Sequence, residues 1–473
     1  MSETSLTPPL PIPLLPNIHT HSFADLSTYY NQVLNKDKST FCSKNDESTP
    51  IELVSEIIAK IPQELWERGC AEDAAADLKI LDPCCGNGNF ALPIYHRLIE
   101  SGRISPKEAL ENIIYMTDIN ARRLANVRAI FSEPADAAAD ASAAITPNVK
   151  ELDFLTTRET LIQTLGDFPL LYDLIIANPP YAKIDSDGKR SAKNHNMIRP
   201  FVLQCISLLK PDGIMALLIP DNWMSKSDRN DLCLIFTELT IVHLNIHTAK
   251  RHFKNVGSSF TWIIVQNRKS TVGQTMCVSG IWRGCDYVDT NVPCMIRSYI
   301  PLFYNSIVQR ILEKTIERVD IAKIGAAVSC ELHRTTRKAL LVDSPTGLFC
   351  NRVVHTPTQT LWSSKAHGLQ GRMKIFISIT DKYSVWMDLG VSGMTQAVVY
   401  VLCETAAEAE VQCLQLRHPL FVFLNNICRW GKFNNIRVIQ SFPKLPVGLV
   451  DEMAIYDFFG LTDSEIAFIR GNV

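Results

Sequence analysis

No apolar run in the 473-residue chain is long enough to span a bilayer, so a membrane protein is not expected. The opening residues MSETSLTPPLPIPLLPN lack a basic start and are broken by prolines, which argues against a secretory leader. Residues 1–46 read instead as a disordered or extended arm. Net charge is nearly absent too, at -2, so attraction to a polyanion would have to come from local basic patches. The 14 cysteines include no CxxC followed by a second CxxC, and they are scattered through apparent core segments. A reducing compartment, cytoplasmic or nuclear, fits this better than a disulfide framework. The sequence presents no internal repeat, metal-ligand cluster, catalytic cysteine constellation or nuclease-like group of carboxylates with lysine. Catalysis without a metal and without strand cleavage is therefore expected.

What is present is a soluble globular composition, 46% hydrophobic and 20% charged, in a chain long enough for two domains. Strand patterns at residues 79–81, 113–117, 148–152, 173–177, 214–219, 241–246 and 260–265 alternate with helical ones such as 90–100, 121–131 and 200–209. This rhythm predicts an α/β fold, a doubly wound sheet whose last two strands pair as an antiparallel hairpin at one edge. The biased segment Ser132 to Ala144 reads as a surface insertion. After Asn267 the rhythm breaks, and strands return in KIFISI, SVWMDL and QAVVYVLCE. A first domain over residues 47–269 and a second over 270–473 follow.

Four strand ends carry chemistry. In LDPCCGNGNFA, Gly86 and Gly88 allow a tight turn before a helix near Phe90, with Asp82 and Pro83 just ahead. Gly86, Gly88 and Ala91 also satisfy the dinucleotide pattern GxGxxA, but the carboxylate of Asp82 suits an ammonium better than a phosphate. Asp118, closing the second strand before Ile119, could accept ribose hydroxyls or cap the following helix. Asp153 and Phe154 could bind and cover an adenine, or begin a helix together with Thr156 and Thr157. The run DLIIANPPY is an apolar strand stopped by Pro179 and Pro180. There Asn178 and the Pro179 carbonyl offer two fixed acceptors for a planar NH2, and Tyr181 a ring to stack upon it.

With these residues assembled, the sequence resembles the S-adenosylmethionine-dependent N6-adenine DNA methyltransferases, the TaqI-like gamma class of restriction-modification enzymes, over about residues 47–267. SerThrPro at 48–50 resembles the class's first cofactor motif. The resemblance extends through DPCCGNGNF, Asp118, the Asp153–Phe154 pair and NPPY at 178–181, in the order of that class. It implies a mostly parallel, seven-stranded Rossmann-like sheet followed by a mixed α+β target-recognition domain. S-adenosylmethionine would be held by Thr49, Asp82, Pro83, Gly86, Gly88, Phe90, Asp118, Ile119, Asp153, Phe154 and Asn178. A flipped adenine would be held by Asn178, Pro179, Pro180 and Tyr181, with Phe253 on its second face. Cys84 and Cys85 are small residues of the cofactor loop and not nucleophiles.

The implied partner is double-stranded DNA, contacted by a monomer, with room for a cognate restriction nuclease encoded separately. Candidate phosphate contacts are Lys183, Lys189, Arg190 and Lys193, then Lys250, Arg251 and Lys254, and in the second domain Arg334, Arg337, Lys338, Lys365, His367, Arg372 and Lys374; each group has a solvated face as its alternative reading. Rival functions are methylation of adenine in RNA or of a glutamine amide, a catalytically inactive nucleic-acid-binding protein on the same fold, and a NAD-dependent oxidoreductase. The last leaves NPPY unexplained.

Overall fold

The computed structural model describes residues 15–41, 47–68, 78–133, 144–181, 197–227, 231–253, 259–294, 298–380, 382–429, 431 and 433–473. The insertion expected at 132–144 therefore lies mostly outside the described residues, as do Lys183, Lys189, Arg190, Lys193 and Lys254. Two compact units emerge, one of Met1–Asp221 with Glu238–Met276, the other of Asn222–Thr237 with Cys277–Val473. The second unit thus begins a few residues later than expected and also takes in 222–237, a segment assigned to the first domain from sequence.

In the first unit seven strands are β1 (Ile80–Asp82), β2 (Ile114–Asp118), β3 (Asn148–Glu151), β4 (Tyr172–Ala177), β5 (Leu209–Pro220), β6 (Thr240–Ile246) and β7 (Phe260–Gln266). They run in the order β3-β2-β1-β4-β5-β7-β6 within a sheet of nine strands, two more than the seven expected. The first five pair in parallel, and β7 inserts antiparallel between β5 and β6. The expected antiparallel pairing of β6 with β7 is present. Strands β1, β2 and β4 are buried along their whole length, which is why they read as continuous apolar runs rather than alternating ones.

Strand order reverses between β1 and β4, which are direct neighbours with Ile80 opposite Leu174 and Leu81 opposite Ile175. At such a switch point the connections leave in opposite directions and open a crevice beyond the carboxyl ends. Asp82 and Asn178 both stand at that edge. At the other end Asp173 fixes the register, accepting the Lys79 N–H at 2.9 Å and pairing with Lys210 Nζ at 2.8 Å.

Residues 15–41, expected as part of a disordered arm, are instead folded onto this unit. A helix over Phe23–Gln32, capped by Ser22, buries Leu26 and Tyr30, and these join Ile18 and Leu34 in the core of the sheet. The Tyr30 hydroxyl donates to the Asn87 carbonyl at 2.8 Å, and Asn89 donates to Asn35 Oδ1 at 2.8 Å. The prolines that suggested disorder precede this helix and are absent from it.

The second unit is mixed α+β. One sheet orders Ala327–Val328, Val398–Leu402, Met373–Ser378 and Val385–Leu389, and a second orders Leu341–Val342, Gln359–Ser363, Asn351–Thr356 and Gly393–Met394. Helices include Ala406–Leu416, Pro419–Ile427 and Asp463–Gly471.

The turn after β1 yields a direct test. Gly86 and Gly88 have φ of +56° and +85°, a region where a side chain costs about 1–2 kcal/mol. A Cβ on Gly88 would also lie 2.9 Å from the Phe131 ring, whereas on Gly86 the nearest atom is 3.7 Å away, on Arg123. Gly88→Ala should therefore lower unfolding free energy more than Gly86→Ala, by denaturant titration; equal losses would contradict this account.

Candidate functional site

The loop after β1 is built by backbone bonds to its neighbours. Cys85 N–H donates to the Thr117 carbonyl at 2.9 Å, and Thr117 Oγ1 donates to the Pro83 carbonyl at 3.0 Å. Gly88 N–H closes the turn on the Cys85 carbonyl at 2.8 Å, and the helix Ala91–Ile99 follows behind the buried Phe90. The loop is thereby locked to β2 before any ligand is considered.

Asp118 sits at the end of β2 and accepts the N–H groups of Gly86 and Asn120, each at 2.8 Å. It does not cap the next helix. Asn120 does, accepting from Arg122 and Arg123. The same division occurs after β3, where Thr157 caps the helix Arg158–Leu165 and Asp153 is exposed, its carboxylate accepting the Leu155 N–H at 3.0 Å. The capping alternative thus fails for both aspartates. Phe154 is buried with its ring 4.8 Å from that of Phe201. Ile119 is 61% exposed.

Asp82 is 2% exposed. Its Oδ1 accepts the Cys84 N–H at 3.3 Å, while Oδ2 is buried with no partner among the described residues. Burial pushes its carboxyl well above the ordinary carboxylate range; the Cys84 N–H opposes this weakly and the nearby charge of Asp118 adds to it. The thiols of Cys84 and Cys85 are likewise pushed well up, by burial first and then by the two carboxylates. They are poor candidates for thiolate chemistry.

At the end of β4, Asn178 Nδ2 donates to Thr49 Oγ1 at 3.0 Å, and the Tyr181 hydroxyl donates to Asn178 Oδ1. The amide is therefore oriented, with its nitrogen toward Thr49 and its oxygen toward Tyr181. Thr49 is itself buried, and its carbonyl accepts from Asn89 at 2.7 Å. Cys84 Sγ donates to the Asn178 carbonyl at 3.3 Å. Pro179 is buried and Pro180 exposed.

Tyr181 and Phe253 are both part of the same apolar cluster, but a third ring that sequence reasoning missed touches each. Phe260, opening β7, lies 5.8 Å from Tyr181 and 5.0 Å from Phe253 between ring centroids. It stands opposite Pro220 at the end of β5, a pairing with no signal in the local sequence.

Among the expected cations, Lys250 and Arg251 occupy a single turn at Thr248–Arg251. Two of the second-unit group are corrected. Lys374 is fully buried, bonded to Asp388 at 2.9 Å and to the carbonyls of Leu369 and Arg372. His367 is 3% exposed, with Nε2 2.8 Å from Ser329 Oγ. Both are consumed internally. Although Ser329, His367 and Glu331 are grouped as in a hydrolase triad, His367 Nδ1 accepts the Leu369 N–H at 3.0 Å. Nε2 then carries the proton and cannot take one from serine. Lys365 and Arg372 are exposed but face Glu331 and Glu404, each at 3.7 Å. Arg334, Arg337 and Lys338 are exposed and make no ion pair among the described residues.

Residues 114–249 match the family model of the Eco57I restriction-modification methylase. Among curated protein sequences no significant match was found. Of solved structures, the type IIL restriction-modification enzyme MmeI in complex with DNA is 10% identical with a TM-score of 0.54, covering 93% of this chain and 77% of that one. A nuclease-deletion mutant of the type ISP enzyme LlaGI, in complex with a DNA substrate mimic, is 11% identical with a TM-score of 0.53, covering 89% and 46%. A modification subunit of a putative type I restriction enzyme from Vibrio vulnificus YJ016 is 14% identical with a TM-score of 0.39, covering 56% of this chain. This chain spans about half of that subunit's length, 54%. The segment that matches the Eco57I restriction-modification methylase model holds β2 to β6 and the NPPY loop.

Proposed function

We propose that the chain is a site-specific DNA methyltransferase acting on the N6 amino group of a flipped-out adenine, with S-adenosylmethionine as methyl donor. The observation that carries this reading is the oriented amide of Asn178 at the switch point, one strand away from the glycine turn that follows β1. Its oxygen has two lone pairs, so it can keep the Tyr181 proton and still accept an amine N–H.

The residues present fit the cofactor. The partnerless Oδ2 of Asp82 would be satisfied by an ammonium, the charged group at one end of the donor. Thr49 Oγ1 accepts from Asn178 and retains its own O–H to donate to a carboxylate. Asp118, with lone pairs beyond its two amide bonds, would take the ribose hydroxyls. Ile119, Phe154 and Asp153 would line the adenine, with Pro83, Gly86, Gly88 and Phe90 shaping the turn beneath. Bound, the cofactor supplies an electrophilic methyl group.

The chain's own part is then positioning. Asn178 Oδ1 and the Pro179 carbonyl accept the two N–H groups of the target amine and aim its lone pair; Pro180 stiffens the loop. No strong base is needed, because the N–H becomes acidic as the nitrogen bonds to carbon. Tyr181 would stack against an extruded base; Phe253, the residue proposed for its second face, is buried and packs on Phe260, which also touches Tyr181. We place the chain as a monomer on duplex DNA, any cognate nuclease being a separate protein.

Three tests follow from these contacts. Labelled methyl should pass from S-adenosylmethionine to duplex DNA as N6-methyladenine, and Asn178→Ala should lower kcat by about 10²- to 10³-fold. Label found only in RNA or protein would overturn the substrate; no transfer to any acceptor would overturn the activity. Thr49→Val should lower kcat as well as cofactor affinity, since it frees the Asn178 amide, whereas Thr49→Ser should retain both. An effect of Thr49→Val on affinity alone would refute the orienting role.

The pH dependence has a definite sign. With no ligand, Asp82 keeps its proton to a pH above the usual carboxylate range. The stability this confers is complete below the unfolded value and is lost as pH rises through the folded one. An ammonium reverses the preference, so cofactor binding must expel that proton. Affinity measured calorimetrically should rise with pH up to the raised Asp82 value and then level off, and Asp82→Asn should bind weakly with a flat profile. A wild-type profile without slope would reject the ammonium contact.

A further inference from the structure

The second unit contains one arginine held in a way that neither folding nor solvation requires. Arg334 lies in an exposed turn, and its Nη1 donates to His355 Nε2 at 2.9 Å and to Gln359 Oε1 at 3.3 Å. Its backbone N–H donates to Gln396 Oε1 at 3.0 Å. His355 is buried and its Nδ1 lies 2.7 Å from Thr395 Oγ1, which is fully buried and also accepts the Ala397 N–H at 3.2 Å. Since Nε2 accepts from Arg334, Nδ1 carries the proton and donates it to Thr395. Burial, and then the adjacent guanidinium, hold His355 below the usual imidazole range, so it remains neutral and can accept.

The two hydrogens of Nη1 are thus used. Nε–H and the neighbouring Nη2–H, which point the same way, have no partner among the described residues. The exposed edge is therefore a rigid pair of parallel donors on a charge that no carboxylate neutralises. Water would hydrate such an edge without needing it fixed. A ligand with two acceptors on one edge gains from the fixing, because holding the side chain in advance saves the entropy of ordering it on binding. Arg337 and Lys338, three and four residues on, are exposed and without an ion pair among the described residues, and add the positive potential that a polyanion would follow.

Resting on the DNA-methyltransferase reading, we propose that Arg334 is a specificity-determining residue that reads a guanine of the recognition sequence, its Nε–Nη2 edge donating to O6 and N7 in the major groove. Guanine is the base that offers two acceptors side by side there, and arginine is their usual partner. His355, Gln359 and Thr395 are positioning residues acting through it. Phosphate is the competing acceptor on the same nucleic acid, and the two differ in what a substitution changes.

The test uses the full chain and a duplex library containing every variant of the methylated site. Wild type defines the preferred sequence, and failure of wild type to methylate DNA would sink the functional reading itself. Given wild-type activity, Arg334→Lys, which keeps the charge but loses the planar edge, should relax selection at one G·C position by about 5- to 150-fold. Selection at other positions should persist, and so should the salt dependence of binding. Gln359→Ala, which loosens the same nitrogen at a partly exposed site, should relax the same position less. An unchanged sequence spectrum in both variants would overturn the proposal. So would a uniform loss of binding in Arg334→Ala with the salt slope reduced by about one, the signature of a phosphate contact.

Discussion

The hydrogen bond from Asn178 Nδ2 to Thr49 Oγ1 decides which end of one amide faces the cleft, and the arrangement around it follows from that choice. The two ends of an asparagine side chain are nearly the same size but opposite in polarity, so shape alone cannot select between them. Thr49 selects, and Thr49 is in turn held by Asn89, which also reaches Asn35. Four chain segments therefore meet in one polar network: the stretch before the helix Ile51–Ile58, the loops after β1 and β4, and the folded amino-terminal segment. Each bond contributes only about 1 kcal/mol net, but a buried group deprived of its partner costs about 1–3 kcal/mol, so the network resists loss of any member.

The electrostatics are concentrated just as narrowly. Asp118 and Asp82 end adjacent strands, yet only Asp118 is satisfied, by two amide N–H groups. Asp82 has one long bond and one oxygen with no partner among the described residues. A protein can bury an unpaired carboxyl only by leaving it protonated or by supplying a cation. In the structure without ligand the first applies, since burial holds the Asp82 carboxyl well above the ordinary range; the second is what the proposed ammonium contact would supply. Burial likewise pushes the two neighbouring thiols well up, so neither is a ready thiolate.

Most of the sheet was legible in the sequence because buried parallel strands leave continuous apolar runs, and those of β1, β2 and β4 could hardly be read otherwise. The strand ends with Asp82, Asp118 and Asn178 followed from the same logic, since a polar residue closing an apolar run must face something. What stayed hidden depends on pairing between distant segments. The helix Phe23–Gln32 is stabilised less by its own pattern than by Tyr30 reaching Asn87, 57 positions away. Lys374 looked like a surface cation because its partner, Asp388, becomes its neighbour only when Met373–Ser378 pairs with Val385–Leu389. Phe260 was counted as a strand residue, and its contact with two rings from separate loops has no local signature.

Lys374 and Arg334 together show how a cation's role is set by the acceptors the fold gives it. Lys374 is surrounded by a carboxylate and two carbonyls, all three ammonium protons are satisfied, and its charge is neutralised where it stands. Arg334 is given a neutral histidine and an amide oxygen, which restrain one nitrogen without cancelling the charge. A carboxylate in place of His355 would hold the guanidinium more tightly, but it would also neutralise it and weaken its field toward any anion. Neutral acceptors thus fix direction while leaving charge available, a combination suited to recognition. Thr395 completes the logic, because by accepting from Nδ1 it keeps the Nε2 lone pair of His355 facing the guanidinium.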